Sequence, residues 1–167
     1  MYKVQEVKTL LDNEFSGQYL VLINPEKIPH LIVVKNNKYF SLTNKESIIN
    51  EDFGPYLEKL KRAKRKILFI KLNDSEANLE ETFRKYSSVN TDSITCLLPV
   101  KESLLKNSDA KFVFELIPEL YANNLVDSVY QLNMERDLTE LGDFNLNTYS
   151  LQDIFNYINH LNKRNDQ

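Results

Sequence analysis

A chain of 167 residues and 19.6 kDa fits one ordinary domain and is long enough to bury a core without disulfides or metals. Its 42% hydrophobic and 27% charged residues give a globular composition, neither disordered nor membrane-like, and a net charge of -3 offers no general attraction to nucleic acid. One cysteine, Cys96, with His30 and His160 as the two histidines, excludes an internal disulfide and a multi-cysteine zinc site. Three glycines leave no glycine-rich phosphate loop, so no cofactor is expected.

Val4, Val7, Leu10 and Leu11 fall at helical spacing, which predicts an amphipathic helix over 3–13. The opening residues carry acidic side chains and lack a secretory pattern, so a cytoplasmic location is expected. The longest aliphatic runs, Leu20–Ile23 and Leu31–Val34, are far too short for a membrane span. Ser16-Gly17 ends the helix, and 18–24 reads as the first strand, closed by Asn24-Pro25.

Pro29 to Thr43 reads as a tight hairpin. Leu31, Ile32, Val33 and Val34 are all apolar, so this strand should be covered on both faces. Asn36-Asn37 can supply the positive φ values of a two-residue turn. That turn sets Lys35 opposite Lys38, Val34 opposite Tyr39, Val33 opposite Phe40, Ile32 opposite Ser41 and His30 opposite Thr43. The period of two then gathers His30, Ser41 and Thr43 on one otherwise apolar side.

The segment 43–55 reads as a polar connection without a pattern. Tyr56, Leu57 and Leu60 predict a short helix running into Lys59, Lys61, Arg62, Lys64, Arg65 and Lys66. Positive charge suits a helix C-terminus, and this solvated helix end is weighed against an anion-binding patch built on Lys61, Arg62, Lys64 and Arg65. No aromatic residue interrupts the run, which argues against single-stranded nucleic acid.

Ile67–Leu72 is a further strand, and Asn73-Asp74-Ser75 offers cap chemistry for a helix reaching Tyr86. After a polar loop, Pro99 suits the first turn of a helix, which places Cys96 at or just before its N-terminus. Residues 111–117 fit strand or helix, with strand preferred, and 118–132 reads as helix. An acidic loop over 134–147 leads to Ser150-Leu151-Gln152-Asp153, a capping-box variant opening a last helix. Its stripe is Leu151, Ile154, Phe155, Ile158 and Leu161, with His160 beside it. The expected fold is α+β: one domain, an antiparallel sheet of four to five strands packed by helices.

A histidine opening a strand, a short hairpin, a polar residue on its return, a further strand, a helix and then a cysteine at a helix start: over about 18–106 this order resembles the circularly permuted papain-like superfamily, which includes NlpC-type peptidases and relatives of lecithin:retinol acyltransferase. The resemblance is carried by His30 in PHLIVVKNNKYFSL, by ILFIKL, by NDSEANLEETFRKY and by Cys96 in SITCLLP. It implies a thiol hydrolase or acyltransferase with Cys96 as nucleophile, His30 as base and Ser41 or Thr43 orienting the imidazole. A helix N-terminus and a nearby imidazolium both favour a thiolate.

Structural roles account for the same residues. A lone cysteine usually behaves as a small buried hydrophobe, and a histidine on an apolar strand is often a satisfied core residue. A non-catalytic domain binding a protein partner is therefore preferred over the thiol enzyme, with nine Tyr and nine Phe as possible anchors.

Overall fold

The sheet is built outward from the most apolar strand. In the computed structural model, which describes residues 2–11, 15–73, 78–90 and 95–165, β3 (Gln18–Ile23) is buried along its whole length. It pairs antiparallel on one side with β4 (His30–Lys35) and on the other with β7 (Ile67–Leu72). β5 (Lys38–Leu42) and β6 (Ser47–Asp52) extend the β4 side, and β8 (Val126–Leu132) and β2 (Val7–Thr9) extend the β7 side. The order is β2-β8-β7-β3-β4-β5-β6, antiparallel throughout except where β2 runs parallel to β8. β1 (Lys3–Val4) and β9 (Phe144–Asn145) form a separate two-stranded pair.

The hairpin has the register that its turn dictates. Asn36 and Asn37 take φ values of 50° and 66°, and Lys35, Val34, Val33 and Ile32 face Lys38, Tyr39, Phe40 and Ser41. The turn is also tied inward: Asn37 Oδ1 accepts the Phe15 N–H at 2.9 Å, and Asn36 Oδ1 accepts the Gly17 N–H at 3.0 Å. These bonds hold the left-handed backbone that Asn tolerates better than other non-glycine residues.

Period-two alternation divides the core between the two faces. Tyr19, Val21, Ile23, Ile32, Val34, Ile67 and Phe69 pack against Phe53, Leu57 and Leu60 of α1 (Phe53–Arg62). Leu20, Leu22, Leu31, Val33, Phe40, Leu68 and Ile70 face the other way. They meet α2 (Leu79–Arg84), α3 (Leu97–Leu104) and α4 (Val113–Ala122). Each fully buried aliphatic or aromatic side chain here contributes about 1.5–3 kcal/mol. The result is an α+β fold with helices on both faces of a mixed sheet, and α5 (Leu151–Asn165) follows at the end of the described chain.

Several segments depart from the pattern their sequences suggest. The described part of 3–13 is not a helix: Glu6 turns the chain at φ 52°, and the flanking residues join β9 and β8 as strands. Residues 12–13 lie outside the described residues. The segment 43–55 contains edge strand β6, giving nine strands among the described residues where four to five were expected. Residues 111–117 enter α4 rather than a strand, and the helical reading of 118–132 gives way at Ala122 to β8. Of the cap expected at 73–75, Asp74 and Ser75 lie outside the described residues. The cap of α2 is Asn78, whose side chain accepts the Glu81 N–H at 3.1 Å.

Candidate functional site

Where β4 begins, the sheet ends in a cavity of about 270 Å³. Pro29 and His30 line it from β4 and the loop before it, Thr43 and Asn44 from the end of β5, Thr95 and Cys96 from the start of α3, and Phe112 and Val113 from the start of α4. Tyr149 and the inner side of α5 close it. The walls are mainly apolar, and Phe112 and Tyr149 form an aromatic corner backed by Phe114. Phe112 and Phe114 stack at 4.9 Å, and Tyr149 meets their rings at 5.6 and 5.2 Å, almost perpendicular to both.

The predicted cysteine and histidine both reach this cavity. Cys96 is the N-cap of α3, as the proline in that helix's first turn required. The His30 Nε2 lies 2.7 Å from Ser41 Oγ, across the β4–β5 pair. Thr43, the other candidate for orienting the ring, is committed elsewhere: its Oγ1 accepts the N–H groups of Lys45 and Glu46 and donates to the Glu46 carbonyl.

Imidazole and thiol come to the cavity from different sides. Leu31 and Val33 belong to the core under α2, α3 and α4, and Ile32 and Val34 to the core under α1. Alternation assigns His30, like its partner Ser41, to the α1 side. Cys96 packs against the opposite core, beside Leu97 and Val100 of α3. The hydrogen bond of the imidazole is thus with Ser41 and not with the thiol.

Burial keeps each group neutral. It depresses the His30 pKa to about 4 and pushes the Cys96 thiol up, against smaller lowering contributions from backbone hydrogen bonds. Tyr149, which the sequence did not single out, is raised by burial and by the neighbouring Cys96, while a hydrogen bond with the Val113 backbone opposes the shift. Nothing local in the sequence marks Tyr149, because its partners lie far away along the chain.

The basic run lies at the stop of α1. Lys59, Lys61 and Arg62 occupy its last turn, and Lys64 takes φ 53° in the position usually held by glycine. The Arg65 N–H returns to the Leu60 carbonyl at 3.0 Å. Lys61 lies 3.7 Å from Glu58, and Lys66 3.0 Å from Asp137. Neither Lys61, Arg62, Lys64 nor Arg65 lines the cavity. His160 is exposed on α5.

Among the described residues, no group of three His, Cys, Asp or Glu side chains could hold a metal ion, and no helix is long and apolar enough to cross a membrane. Comparisons with protein-family models, curated proteins and solved structures found no match.

Proposed function

We propose that this chain is a non-catalytic interaction module whose binding site is the apolar cavity at the start of β4. One observation carries the reading: within a mainly apolar wall, burial holds His30 and Cys96 in their neutral forms, and the imidazole is bonded to Ser41 at 2.7 Å. Most of the remaining lining, including Leu31, Leu42, Leu97, Phe112, Val113 and Tyr149, is apolar or aromatic surface, the usual material of a recognition pocket.

The test is a titration of the full chain with anilinonaphthalene sulfonate, a fluorescent probe whose aromatic rings bind apolar cavities while its sulfonate stays toward water. The reading expects saturable uptake of one probe per chain. Absence of saturable uptake would contradict it.

A second reading, thiol acyl transfer through Cys96 with His30 as base, is favoured by their shared cavity and by the Ser41–His30 hydrogen bond. It requires the cavity to bring the thiol within reach of the ring. Alkylation of Cys96 faster than that of free cysteine at neutral pH, and slowed in His30→Ala, would replace the first reading with this one.

A further inference from the structure

The helix that closes the cavity is lightly held. Among the described side chains of α5, Ile158 is the one that is buried, whereas Leu151 and Tyr157 remain 39% and 43% exposed. An exposed amide pair, Asn44 to Asn162 at 3.2 Å, links it to the loop after β5. Its start is stabilised from within. Ser150 Oγ accepts the Asp153 N–H at 3.1 Å, and Asp153 Oδ2 accepts the Ser150 N–H at 2.8 Å, a reciprocal capping box that does not depend on the rest of the molecule.

The side chains that α5 presents to the cavity are Ile154, Tyr157, Ile158 and Leu161. Their spacing is i, i+3, i+4 and i+7, the pattern by which an amphipathic helix is read in a groove. About 270 Å³ remains open beneath them, so α5 occupies the seat without filling it.

We propose that α5 is an exchangeable occupant, and that the groove takes an amphipathic helix of a protein partner with apolar side chains at this spacing. The inference rests on the cavity being a binding site. A helix is the chosen partner because the element already seated there is one. The unfilled space gives a bulkier helix an advantage over α5, and because withdrawing α5 opens core side chains such as Leu31, Leu97 and Val113 to water, the exchange is favourable only when another helix takes its place.

The test uses the full chain carrying Ile158→Asp or, separately, Leu161→Lys, each of which weakens the seating of α5. The probe is a fluorescein-labelled peptide with the sequence of residues 150–164, followed by fluorescence anisotropy. Tethered α5 competes at high effective concentration in the unsubstituted chain, so both variants should bind the peptide roughly tenfold or more tightly than it does. Equal affinity in all three proteins, or no uptake while anilinonaphthalene sulfonate still titrates to one per chain, overturns the exchange but leaves the binding site standing. Loss of the probe site in the unsubstituted chain overturns the site itself. Unfolding of both variants would make α5 part of the core, and dimerisation without peptide uptake would make a second copy the occupant; either result overturns the proposal.

Discussion

The His30 Nε2 and Ser41 Oγ, 2.7 Å apart, join two neighbouring strands at the wall of the cavity. Burial holds the ring neutral, with its pKa lowered to about 4. An unfolded chain would protonate the same ring near 6.5, so the unfolded state binds the proton more readily. No penalty acts above pH 6.5; it grows as pH falls through that value and is complete below pH 4. Urea unfolding should therefore lose roughly 2–3 kcal/mol from this group between pH 7 and pH 4.5. The His30→Gln variant should lose correspondingly less over that range, and parallel pH profiles for the two proteins would remove this role for the ring.

Cys96 gives a second prediction. Its thiol is shifted up by burial, and the thiolate is the form that reacts. Iodoacetamide at pH 7.5 should modify it at least about tenfold more slowly than free cysteine, with little change in His30→Ala. Mass spectrometry of the timed reaction provides the rate.

The hairpin turn can be tested through Asn37. It holds φ 66° and accepts the Phe15 N–H, and Ala would lose both the tolerance and the bond. Asn37→Ala should cost about 2 kcal/mol in urea unfolding. Asn37→Gly, which keeps the backbone freedom, should cost about half as much. Equal costs would mean that the left-handed backbone contributes nothing.

Lys64 offers the opposite sign. It stands at φ 53° where α1 stops, and its side chain is exposed. Lys64→Gly should relieve the left-handed strain and raise stability by roughly 0.5–1 kcal/mol. A thermal melt showing destabilisation would contradict that account of the helix stop.

These cases also mark what could be read before the fold was known. The hairpin register was legible because two adjacent asparagines fix it within a few residues, and Cys96 at a helix start was legible because Pro99 leaves few other places for the chain to go. The N-terminal segment was misread because Val4 and Val7 satisfy helical spacing, whereas their strand partners Phe144 and Val129 lie over a hundred residues away. Strand β8 was hidden for a related reason: its apolar residues also satisfy a helical stripe, and only the open side of β7 selects the extended form. At the cavity, His30, Ser41 and Cys96 could be named individually. Tyr149 and the closing role of α5 could not, since both depend on where distant elements pack.

The central claim is that the cavity under α5 takes apolar groups, and methyl-resolved NMR of the full chain titrated with anilinonaphthalene sulfonate tests it most directly. The account predicts saturable shifts at the methyls of Leu31, Leu97, Val113 and Ile154, which line the cavity, while those of Val21 and Val34 in the α1-side core stay in place. Shifts centred on that second core, or spread over the surface without saturation, would contradict it.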